Sequence, residues 1–80
     1  MTEQQIQRRL VEKLESEGYY VIKLTVTNKN GIPDVIALKP NEVRFIEVKR
    51  PKGIVSKLQE FRIKELKKLG FSAEVYRGES

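Results

Sequence analysis

Asp34, Glu47 and Lys49 are the residues of this sequence whose types and spacing could do chemistry together. If Leu38 pairs with Val43 across the turn at Lys39-Pro40-Asn41-Glu42, paired positions sum to 81 and Asp34 lies directly opposite Glu47. Opposite residues of an antiparallel pair share a face, with Cβ atoms roughly 4.5–5.5 Å apart. Alternation along the strand puts Lys49 on that face too. Two carboxylates so placed repel each other, in a small domain with roughly 5–10 kcal/mol of total stability. A divalent cation between them reverses the sign of that cost. Mg²⁺ prefers oxygen ligands, commonly one or two carboxylates with water and a phosphate oxygen. The carbonyl of Val48 is a further candidate ligand. The Lys49 ammonium could hold an attacking water and neutralise charge on a phosphate.

The rest of the composition narrows the chemistry to this kind. The chain has no Cys and no His. That excludes disulfides, cysteine- or histidine-bound zinc, thiol catalysis, a histidine base and a Ser-His-Asp triad. Acid, base or metal chemistry must use carboxylates, lysine, water and backbone. A net charge of +5 and a pI near 9.6 suit a polyanionic partner. At 80 residues the sequence predicts one domain over 1–80. No apolar run is long enough for a membrane span, and no apolar signal core opens the chain, which predicts an intracellular protein in cytoplasm or nucleoid.

The elements that must position these residues can be read in order. Thr2 to about Glu17 is a helix, opened by a capping box of Thr2 and Gln5 and stopped by Gly18. Ile6, Leu10 and Leu14 form its apolar stripe. Glu3 falls in line with that stripe and Glu12 opposite it. If this helix packs on the carboxylate face, Glu3 approaches the pair from the helix end. Tyr19 to Val26 is a strand, then a loop to Gly31, where a positive φ is allowed. Asp34 to Leu38 and Val43 to Lys49 are the next two strands. Ser56 and Gln59 make a second capping box, opening a helix to about Leu69 with Leu58, Phe61, Leu66 and Leu69 as its apolar arc. Arg62 and Glu65 interrupt that arc. Phe71 to Arg77 is a last strand, so the order is α-β-β-β-α-β.

Each candidate also has an ordinary explanation. Asp34 alone suits a strand start or an Asx turn. Glu47 and Lys49 alone suit a solvated stripe on an edge strand. Glu3 alone suits the helix dipole. Gln59 alone completes a capping box, and Lys23 alone is an exposed strand lysine. The joint placement of Asp34, Glu47 and Lys49 on one face is what these explanations do not cover. Nine Lys or Arg and three Glu lie between Arg44 and Lys68. Such a run is often just a solvated surface. Here it flanks the acidic pair, where phosphates could be drawn in without sequence being read.

These residues resemble the PD-(D/E)xK nuclease superfamily, and within it a minimal VRR-NUC (virus-type replication-repair nuclease) domain. The matching pieces are Glu3, Gly31-Ile32-Pro33-Asp34, Glu47-Val48-Lys49 and Ser56 to Gln59, nearly spanning the chain. The resemblance implies an α/β, restriction-endonuclease-like core with a mixed four-stranded sheet flanked by helices. It implies Mg²⁺- or Mn²⁺-dependent hydrolysis of phosphodiester bonds in branched DNA such as Holliday junctions. Asp34 and Glu47 would be metal ligands, with the Val48 carbonyl and, through water, Glu3. Lys49 would be the catalytic lysine, and Gln59 and Glu3 supporting active-site residues. Lys23 would be the strand lysine that precedes the Gly-x-Pro-Asp segment. Lys23, Arg50, Lys52, Lys57 and Lys64 are the expected DNA contacts. A homodimer is expected, since one chain holds one cluster and paired nicks need two; Ile54, Val55 and Ile63 are offered as its contacts. The alternatives are a non-catalytic nucleic-acid-binding module and an interaction domain with no nucleic-acid role.

Overall fold

The first helix, α1 (Glu3–Ser16), starts where a reciprocal cap satisfies its free amides. Thr2 Oγ1 accepts from Gln5 N–H at 3.1 Å while Gln5 Oε1 accepts from Thr2 N–H at 2.8 Å. The same device opens α2 (Lys57–Lys68), with Ser56 and Gln59 as partners. Between the helices run β1 (Tyr20–Lys23), β2 (Val35–Lys39) and β3 (Glu42–Val48); β4 (Ser72–Tyr76) follows α2. The computed structural model describes residues 1–78. Among these no helix is long and apolar enough to cross a membrane.

The strands form one mixed sheet in the order β1-β2-β3-β4. The β2–β3 hairpin pairs Leu38 with Val43, the register read from the sequence. Pro40-Asn41 makes its two-residue turn, Asn41 taking φ 64°. Proline followed by a residue tolerant of positive φ is the chemistry such a turn requires. The crossover through α2 lets β4 run parallel to β3.

β1 is shorter than the Tyr19–Val26 strand expected. Leu24 N–H still bonds Asp34 O at 2.8 Å, but the chain then leaves the sheet and Val26 is exposed. Opposite it the chain runs back through Pro33 to the turn at Gly31, φ 80°, and offers no further strand to pair with.

The two helices cover opposite faces. Ile6, Leu10 and Leu14 of α1 pack on Val35, Ala37, Ile46 and Val48. Ile63 and Leu66 of α2 pack on Ala73, with Phe45 and Val75 beside them. The expected arc of α2 is therefore corrected. Ile63 belongs to the core and is unavailable to a dimer contact, whereas Leu58, Phe61 and Leu69 are exposed. Arg62 and Glu65 pair at 3.1 Å, and Arg62 Nε also donates to Asn30 O at 2.9 Å. Those polar bonds turn one flank of α2 toward the loop before β2 and roll Leu69 and Phe61 outward.

Candidate active site

Continuing the β2–β3 register by one pair places Asp34 opposite Glu47. Their side chains share the face covered by α2, because Glu47 alternates with Ile46 and Val48, which face α1. β3 lies between β2 and β4, so Glu47 is not on an edge strand. It is only 2% exposed, the one charged side chain buried among the described residues. The solvated-stripe explanation fails on that burial.

Each carboxylate is held by a different donor. Asp34 Oδ2 accepts from the backbone N–H of Val48 at 2.9 Å. Glu47 Oε2 accepts from Gln59 Nε2 at 3.1 Å and lies 3.7 Å from Lys49 Nζ. Gln59 thus has two tasks. Its oxygen caps α2 through Ser56 N–H, and its amide nitrogen is thereby aimed at Glu47. Lys49 is itself mostly buried, at 14% side-chain exposure, so its charge is poorly screened by water.

Glu47 Oε1 is buried with no donor to it. Burial first, and then repulsion and hydrogen bonding from Asp34, push the Glu47 carboxyl up to about 7; Lys49 opposes the shift and Glu3 adds slightly to it. A buried polar atom without a partner is costly. An oxygen-only donor set with one oxygen left open suits a hard divalent cation. Asp34, Glu47 and the neighbouring Val48 carbonyl fit that group. Among the described residues no three Asp, Glu, His or Cys side chains converge on one metal position.

Glu3 reaches this region by a different route from the one expected. α1 packs on the opposite face from Asp34 and Glu47. Its first turn instead meets the end of the sheet, with Glu3 Oε2 3.4 Å from where a Cβ on Gly53 would stand. Its charge is felt by Glu47 around that end.

The expected DNA contacts divide. Arg50, Lys52, Lys57 and Lys64 are exposed and belong to the turn after β3 and to α2. Lys23 pairs with Val35 on β1, so it shares the α1 face and is not brought to the carboxylates. The sequence reading missed Arg77 altogether and missed one contact of Gly31. Arg77 donates through Nη1 to the carbonyls of Arg50 at 3.0 Å, Pro51 at 3.3 Å and Gly53 at 2.7 Å. Gly31, at φ 80°, lies where a Cβ would meet Leu58 Cγ at 2.6 Å. The glycine was legible as a turn residue, but its contact with α2 was not; a lone Arg near a chain end carries no local signal.

Residues 2–80 match the VRR-NUC domain family. A solved structure of a VRR_NUC domain protein superposes with a TM-score of 0.81 at 21% identity, covering 98% of this chain and 78% of that one. At that identity the likeness establishes the fold, including its helix, three strands, helix and strand in order. No curated protein matches the chain.

Proposed function

This chain belongs to the VRR-NUC domain family, whose membership implies a nuclease-type function, and from that premise we propose a divalent-metal-dependent endonuclease acting on branched DNA such as Holliday junctions. The observation that carries the reading is the buried Glu47 carboxylate, set against Asp34 with one oxygen lacking a donor. A domain of this size gains nothing structural from such a pair. A non-catalytic binding module would have no use for it.

Asp34 and Glu47 would hold Mg²⁺ or Mn²⁺, with the Val48 carbonyl adjacent. When bound, the ion supplies Lewis-acid polarisation of the phosphate and a water of lowered pKa. The chain's own groups do the rest. Val48 N–H holds the Asp34 carboxylate and the Gln59 amide holds that of Glu47. Lys49 donates toward the attacking water and the non-bridging phosphate oxygens, where negative charge grows. Water oxygen bonds to phosphorus as the P–O3′ bond breaks; its proton passes to solvent, and the leaving oxygen takes one back. The 5′-phosphate and 3′-hydroxyl ends follow from the family resemblance. Glu3 supports the site through water, and Arg50, Lys52, Lys57 and Lys64 draw in the phosphate backbone.

A homodimer accompanies this reading. α2 covers β3 and β4 but leaves Tyr20 and Ile22 exposed on the same sheet face, with Ile36 and Leu38 half-buried beside them. Tyr20 is 71% exposed and Ile22 41%. An apolar sheet patch of this kind marks a protein contact, and a two-fold pair would present two sites to a junction. Ile54, also exposed, remains available to such a contact, while Val55 is half-buried.

The deciding experiment incubates the protein with linear duplex, flap and four-way junction DNA in Mg²⁺, Mn²⁺ or EDTA, beside Asp34→Asn and Glu47→Gln. Metal-dependent cutting of junctions, lost in both variants, is expected. Undiminished cutting in EDTA or in either variant overturns the mechanism. DNA binding that is indifferent to both residues, without cutting, favours the binding-module alternative. Sedimentation at micromolar concentration should show a dimer that Ile22→Asp splits; a monomer still making paired nicks overturns the dimer.

A further inference from the structure

Lys49 is the last residue before a short turn, and that turn is held from an unexpected direction. The backbone N–H of Lys49 bonds Tyr76 O at 3.0 Å, which ties it to the end of β4. The next residue of β4's extension, Arg77, then places one guanidinium nitrogen among three carbonyls of the turn, those of Arg50, Pro51 and Gly53. Gly53 N–H closes the turn onto Arg50 O at 2.9 Å. Carbonyls that converge in this way repel one another, and a cationic donor offsets that repulsion. The turn also meets Glu3. A Cβ on Gly53 would stand 3.3 Å from Arg50 N and O and 3.4 Å from Glu3 Oε2, so Glu3 rests against the segment that Arg77 holds.

We propose that Arg77 is a positioning residue that clamps the 50–53 turn, so that Lys49 and Glu3 stay directed at the Asp34–Glu47 pair. The proposal rests on the nuclease reading above. Arg77 touches none of the reacting groups in this account. It acts on Lys49 through the turn that follows it and on Glu3 through Gly53. A misplacement of about 1 Å at a catalytic group lowers rate by roughly a hundredfold. A backbone turn freed from its clamp gives that order of movement to the lysine before it.

The test compares wild type with Arg77→Ala and Arg77→Lys. Three readouts are taken: kcat and KM on junction DNA in Mg²⁺, hydrogen exchange at residues 49–54, and Mn²⁺ affinity without DNA. Arg77→Ala should lower kcat about 10- to 100-fold with KM changed less than about threefold. Exchange across the turn should quicken, and Mn²⁺ binding should weaken. Lysine has donors enough for the same carbonyls and should restore most of kcat. If Arg77→Ala cuts at the wild-type kcat, or loses only KM as a phosphate contact would, the proposal is overturned and the nuclease reading stands. If wild type cuts nothing, that reading falls. The clamp is then judged by exchange and Mn²⁺ affinity alone, and unchanged values for both overturn it.

Discussion

Replacing Glu47 by Gln should make the metal-free protein more stable while removing its activity. In the folded chain Glu47 keeps its proton up to about pH 7, whereas an ordinary glutamate releases it near pH 4.5. Between those values the native state binds more protons than the unfolded state, so stability falls as pH rises. The carboxyl group's favourable contribution is complete below pH 4.5 and lost above pH 7. The interval corresponds to about 3 kcal/mol at pH 8. Glutamine keeps the acceptor for Gln59 and offers an N–H toward Asp34, but burying the amide returns about 1 kcal/mol of the gain. The net expectation in EDTA at pH 8 is about 2 kcal/mol, or a Tm rise of roughly 8–16 °C for a domain of this size. At pH 4, where the wild-type carboxyl is protonated in both states, only the amide cost is left and the variant should be less stable by about 1 kcal/mol. Added Mg²⁺ at a hundred times its Kd should raise wild-type stability by about 2.7 kcal/mol and leave the variant nearly unchanged. Thermal melts across pH 4–8, with and without metal, measure all three effects. A variant no more stable than wild type at pH 8 in EDTA, or a pH-independent difference between them, would refute the account of Glu47 as a buried carboxylate waiting for a cation.

The remaining predictions test the other side chains in turn. Lys49→Ala should lower kcat far more than DNA affinity, while Lys57→Ala or Lys64→Ala should weaken binding and reduce its log–log salt slope by about one each; equal losses of affinity from all three would sink the distinction. Glu3→Gln should impair metal-dependent cutting and Glu12→Gln should be silent, since Glu12 is exposed on the far side of α1; matching effects would show that Glu3 has no role. Gln59→Glu keeps the capping acceptor but loses the donor to Glu47, so it should lower activity with little effect on α2, whereas Gln59→Ala should also cost about 1 kcal/mol in denaturant melts. Gly31→Ala meets both a positive φ and Leu58 and should destabilise by more than about 1 kcal/mol; a neutral result would mean that α2 can move aside.

What could be read from the sequence was local or nearest-neighbour in origin. The capping boxes depend on residues three apart, and both form as expected. The hairpin register follows from a two-residue Pro-Asn turn and alternation on either side, because a one-residue slip would turn every side chain to the wrong face. That register alone was enough to oppose Asp34 to Glu47. Tertiary packing decided the rest, because a helix's apolar stripe says that it packs and not on which face. α1 therefore took the side away from the carboxylates, and Glu3 comes round the sheet's end. The bonds of Arg62 to Asn30 and Glu65 set the roll of α2, putting Ile63 inside and Leu58, Phe61 and Leu69 outside. β1 ended early because the chain opposite it, ahead of Asp34, turns at Gly31 rather than continuing as a strand. The burial that raises the Glu47 pKa, the second task of Gln59 and the reach of Arg77 across the turn at 50–53 all join residues twelve or more apart in sequence. No periodicity or short motif encodes such contacts; they exist only once two helices have been laid on one sheet.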